Sequence, residues 1–84
     1  MPRTPSHAAS IVGAQIRAVR NERKMTQDQL AVGSGIDSAN IRSFESGRAL
    51  PSLQSLVRVA DALGCPTSAL IDDLAPGHFE RNET

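Results

Sequence analysis

Tryptophan and tyrosine are absent from this chain of 84 residues, and it has only two phenylalanines, Phe44 and Phe79. Its interior must therefore come from Leu, Ile, Val and Ala, and in one small domain such a core is modest. A single cysteine, Cys65, excludes an internal disulfide framework and fits a reducing compartment. No apolar run approaches the ~20 residues that span a membrane. The opening MPRTPSHAAS has no leader-like apolar stretch, so a cytoplasmic location is expected. Strand-like alternation of β-branched residues is missing as well, and helix formers with capping residues recur throughout. The expected class is all-α.

Catalytic signatures are equally scarce. His7 and His78 lie near the two ends without metal-spaced partners, and Cys65 has no activating base. Ser34, Ser38 and Ser43 have no histidine neighbour, and Gly33-Ser34-Gly35 matches no phosphate-binding loop. Neither a metal, a cofactor nor an enzymatic activity is expected.

Net charge is also absent, but its distribution is uneven. Residues 1–50 carry seven Arg or Lys against four acids, and residues 51–84 carry two against five. The chain is polarised, with an excess of +3 in the first part and −3 in the second.

The informative stretch runs from Thr26 to Gly47 inside the positive part. Thr26-Gln27-Asp28-Gln29 fits a capping box, with Met25 and Leu30 at the spacing of a hydrophobic staple. Gly33 or Gly35 can end that helix in a left-handed conformation. Asp37 then caps a second helix, with Ile36 and Ile41 again at staple spacing. Ile41 and Phe44, three residues apart, share one face and point inward together. Two capped helices about three turn residues apart are what a DNA-reading helix-turn-helix requires.

Around this unit, residues 1–9 read as a mobile arm and Ile11 to Arg23 as an amphipathic helix capped by Ser10. Its end is loaded with Arg17, Arg20, Arg23 and Lys24, which suits both the helix dipole and phosphate contact. Ser52 can cap a fourth helix, Leu53 to Leu63, with Leu53, Leu56, Val57, Ala60 and Leu63 at helical spacing. A short fifth helix begins at Pro66-Thr67 and carries Leu70, Ile71 and Leu74 as far as Asp73 or so. Residues 10–74 are thus expected to form the domain, and 75–84 a frayed tail.

These residues together resemble the phage-repressor/Cro-like helix-turn-helix family, also called the XRE family. The matches are Ile16, Val19 and Arg20, then Met25-Thr26-Gln27 and Leu30-Ala31. Gly35-Ile36, Ile41, Phe44-Glu45 and Gly47 follow, and Pro51, Leu53, Leu56, Ala60, Leu63-Gly64 and Leu70 complete the pattern. The resemblance implies a compact five-helix domain, with helices 2 and 3 forming the DNA-reading pair. It also implies a partly buried ion pair between Arg20 and Glu45, and a phosphate contact from Gln27. Phage repressors, restriction–modification controllers and general bacterial regulators are among such proteins.

The outward face of the third helix then offers Ser38, Ala39, Arg42 and Ser43 to base edges in a major groove. Arg42 is the one long hydrogen-bonding side chain there, with guanine as its natural partner. Thr26, Gln27, Asn40, Ser46 and Arg48 are candidate phosphate contacts, and Arg3 is a candidate for the minor groove. A single recognition helix reads few base pairs, so a homodimer on a two-fold operator is expected, with Leu70, Ile71 and Leu74 as candidate interface residues. The other reading is a protein-binding module, such as the antitoxin of a toxin–antitoxin pair.

Overall fold

The structure, a computed structural model, describes residues 7–79 and contains five helices with no strand among them. They are α1 (His7–Glu22), α2 (Gln27–Ser34), α3 (Ser38–Glu45), α4 (Leu53–Leu63) and α5 (Ser68–Ile71). A short 3-10 turn, Pro76–His78, follows. The all-α, five-helix expectation holds. Arg3 lies outside the described residues.

Each start signal in the middle of the chain works as its chemistry demands. The Thr26 hydroxyl accepts from the Gln29 amide at 3.0 Å, and the Thr26 amide donates to the Gln29 side chain at 2.8 Å. Asp37 accepts from Ala39 and Ser52 from Ser55, which satisfies amides that the first helical turn leaves unpaired. Gly35 and Gly64 take the left-handed conformation that closes α2 and α4.

The first helix corrects the expectation at both ends. It begins at His7 rather than Ile11, and Ser10 lies inside it instead of capping it. Ala8 and Ala9 are fully buried, so continuing the helix removes apolar surface from water with the best helix-forming residue. Lys24 ends α1 with φ 58°, a left-handed conformation usually left to glycine. Met25 N–H bonds to the Arg20 carbonyl and Lys24 N–H to that of Asn21, a Schellman closure built on a lysine.

The core gathers Val12 and Ile16 from α1, Leu30 from α2, and Ile41 and Phe44 from α3. Leu56, Val59, Ala60 and Leu63 come from α4, and Leu70 from α5. Helical spacing had placed Leu53 and Val57 inside, yet they are 72% and 50% exposed, while Val59 is fully buried. Residues 56, 60 and 63 belong to either choice of inner face, so periodicity alone leaves the flank undecided. The fifth helix is also shorter than expected. Part of the expected tail folds back: His78 packs edge-on to His7, with ring centroids 5.1 Å apart.

One contact sets how α1 meets α3. A Cβ at Gly13 would lie 2.1 Å from the Phe44 carbonyl oxygen and 3.0 Å from that of Glu45. Only glycine lets the backbone of α1 rest on the last turn of α3. Gly47, at φ 80°, packs less tightly against Ser10, where a Cβ would lie 2.9 Å from the Ser10 hydroxyl oxygen.

Candidate nucleic-acid interface

The third helix is held by its inner side and bare on its outer side. Ile41 and Phe44 are buried, and Glu45 follows them into the interior with its side chain 4% exposed. A carboxylate taken from water needs partners, and Glu45 has three donors. Arg20 binds it bidentately, Nε to Oε2 at 2.6 Å and an Nη to Oε1 at 3.0 Å. The Gln27 side-chain amide donates to Oε1 at 3.1 Å. Arg20 also donates to the Met25 carbonyl at 2.8 Å, so one guanidinium ties α1, the loop before α2 and α3 together. The Glu45 hydrogen bond holds the Arg20 guanidinium charged above its ordinary range, against the opposing effect of burial. The ion pair that the family resemblance implied is present, and no buried side-chain polar atom among the described residues lacks a partner.

On the outer side, Ala39, Asn40 and Arg42 are exposed, with Ser38 and Ser43 half-buried beside them. Two clefts open there. One, of about 310 Å³, is lined by Arg17, Arg20, Gln27, Arg42, Glu45 and Ser46. The other, of about 400 Å³, is lined by Ala39, Arg42, Ser43, Ser46 and Arg48. Arg42 and Ser46 border both. The structure thus brings Ala39, Arg42, Ser43, Ser46 and Arg48 onto one surface, with Gln27 at its edge. Thr26 is exposed at the start of α2, with its oxygen already committed to the cap. The Ser46 hydroxyl donates to the Ser43 carbonyl at 3.2 Å. Leu70 stands apart from the other two interface candidates, because it is fully buried and has no surface to offer a second chain. Ile71 and Leu74 are half-buried against the core.

Sequence reasoning treated the basic end of α1 as one cluster, and the structure divides it. Arg20 belongs to the buried network. Arg23 donates from Nε to the Leu63 carbonyl at 2.9 Å and so caps the end of α4. A bond between residues 40 apart in the chain leaves no local signal. The engagement of Gln27 with Glu45 was missed for the same reason. Gly13 did carry a signal, a glycine in mid-helix that costs about 1 kcal/mol relative to alanine unless something requires it. Cys65 is half-buried, and burial pushes its thiol pKa up, partly offset by Arg23. Among the described residues no group of three or more His, Cys, Asp or Glu could hold a metal ion.

A helix-turn-helix family model matches residues 16–70, and the chain belongs to that family, of the phage-repressor/Cro-like type. The matched span opens on Ile16 and closes on Leu70, both fully buried. The chain is similar to the immunity repressor protein of Bacillus phage phi105, at 42% identity over 62 residues, covering 74% of this chain and 43% of that protein. It is also 42% identical over 60 residues to the HTH-type transcriptional repressor RghR of Bacillus subtilis (strain 168), covering 70% of this chain and 44% of that one. It therefore spans less than half the length of these two relatives. Among solved structures, the restriction-modification controller protein C.AhdI from Aeromonas hydrophila matches with a TM-score of 0.73 at 27% identity. That match covers 75% of this chain and 96% of that one. The fold is that of DNA-binding regulators and not of enzymes. No helix among the described residues is long and apolar enough to cross a membrane.

Proposed function

We propose that this chain is a sequence-specific regulator of transcription that binds double-stranded DNA as a homodimer on a two-fold operator. The observation that carries this reading is the two-sided construction of α3. Its inner side is fixed by Ile41, Phe44 and the Arg20–Glu45–Gln27 network, while its outer side exposes Arg42 between two open clefts. A helix anchored this firmly, with its polar face open to water, suits insertion into a major groove about 12 Å wide.

In this reading Arg42 donates two guanidinium N–H groups to guanine O6 and N7. The Ala39 methyl packs against a thymine methyl, and Ser38 and Ser43 bond nearby base edges. Thr26, Gln27, Asn40, Ser46 and Arg48 face the phosphates on either side and set the register. Gln27 uses one amide hydrogen on Glu45 and has a second for phosphate. Dimerisation places two copies of α3 about 34 Å apart on successive half-sites. Ile71 and Leu74 remain candidates for that contact, and the exposed Leu53 and Val57 on α4 offer further apolar surface.

Titration of the purified protein against random and selected duplexes over a range of salt tests the proposal. Binding to a selected duplex should weaken linearly in log–log form as salt rises, because cationic side chains displace counterions from phosphates. Salt-independent behaviour, with no preference among duplexes, would overturn it and favour the protein-binding reading that Leu53 and Val57 also suit.

A further inference from the structure

The basic residues of α1 do not all have work inside the molecule. Arg20 is spent on Glu45 and Met25, and Arg23 on the end of α4. Arg17 is exposed, its side chain has no hydrogen bond or ion pair among the described residues, and it lines the same cleft as Gln27, Arg42 and Ser46. That cleft holds three arginines and one carboxylate. The carboxylate is neutralised by Arg20 and nearly sealed from water, so the positive charges of Arg17 and Arg42 are left without a counter-charge. Two guanidinium groups sharing an open cleft repel each other unless an anion comes between them.

The position of Arg17 is fixed from below. Gly13 seats α1 directly on the carbonyls of Phe44 and Glu45, and Arg17 lies one helical turn further along. Arg20, three residues beyond Arg17 and next to it along the helix surface, is bolted to the end of α3. The stem of Arg17 therefore moves with the recognition helix and not independently of it.

We propose that Arg17, together with the second amide hydrogen of Gln27, seats one backbone phosphodiester of duplex DNA in the cleft between α1 and α3. This inference rests on the DNA-binding reading and extends it to a helix outside the helix-turn-helix. The cleft that would hold this phosphate shares Arg42 and Ser46 with the cleft that contains Ala39, Ser43 and Arg48. A strand crossing α3 would thus be gripped next to the base-reading arginine. The seat carries no sequence information and acts on affinity and register.

The test compares Arg17→Gln, Arg17→Lys and Arg58→Gln with the wild type on the selected duplex and on random duplex. Arg58 is an exposed arginine on α4 that lines neither cleft. Arg17→Gln should lower affinity for both duplexes by the same factor, roughly tenfold per protomer. It should also reduce the slope of log affinity against log salt by about 0.9 per protomer. Arg17→Lys should restore the slope, since a point charge still displaces the counterion. Arg58→Gln should change neither quantity, and all variants should melt with the wild type. An unchanged slope in Arg17→Gln, with salt-dependent binding intact in the wild type, overturns the seat and spares the DNA reading. An equal loss in Arg58→Gln overturns it in favour of a general effect of charge. A wild type without salt-dependent DNA binding overturns both.

Discussion

The two sides of α3 are built on opposite principles. The inner side is crowded, with Phe44 and Glu45 pressed against α1 at a point where not even one methyl group fits, and Glu45 accepts from two side chains. The outer side is sparse: one arginine whose side chain has no partner among the described residues, one methyl group and small hydroxyls. Position and reading are thereby separated. A substitution inside should change stability and leave sequence preference alone, and one outside should do the reverse.

Glu45→Ala should show the largest effect. It strands the Arg20 guanidinium in a site where its side chain is only 12% exposed, and loss of one partner of a buried pair costs about 3–5 kcal/mol. Chemical denaturation measures this. A loss below about 1 kcal/mol would mean that the inner side is held by packing alone. Gly13→Ala comes next, because its Cβ would overlap a backbone carbonyl that no rotamer change can move. Better helix propensity returns about 1 kcal/mol, so a net loss of about 2–3 kcal/mol is expected. An unchanged midpoint in the same titration would show that α1 and α3 can slide apart freely. Lys24→Gly should instead gain about 1 kcal/mol, since glycine relieves the left-handed strain at φ 58°. A thermal melt that shifts downward would contradict that assignment of strain. The smallest change belongs to Leu53→Ser, which should stay within about 0.5 kcal/mol for a side chain that is mostly in water. A loss of more than 1 kcal/mol that depends on protein concentration would reveal a partner covering that face.

Local chemistry was legible in the sequence, and contacts at a distance mostly were not. The caps at Thr26, Asp37 and Ser52, a left-handed glycine at the end of α2, and the inward pairing of Ile41 with Phe44 all depend on residues within a turn or two. The early start of α1 depends instead on what Ala8 and Ala9 are packed against, and alanine alone does not disclose that. The choice of Val59 over Leu53 and Val57 on α4 was settled by its neighbours, since both registers satisfy a 3.6-residue period. In the candidate site, Arg20 with Glu45 came from family resemblance. The roles of Arg23 and Gln27 follow from folding distant segments together. The exposure of Ala39 and Arg42 was legible because burying Ile41 and Phe44 leaves them no other side.

The most direct measurement is a selection from random duplexes, run in parallel with the wild type and Arg42→Ala. The wild type should enrich a two-fold site with guanine at one fixed position in each half. Arg42→Ala should lose that guanine at a cost of about 1–3 kcal/mol, while its melting temperature stays where it was. An Arg42→Ala protein that enriches the same sequence with the same guanine would contradict the claim that the outer side of α3 does the reading.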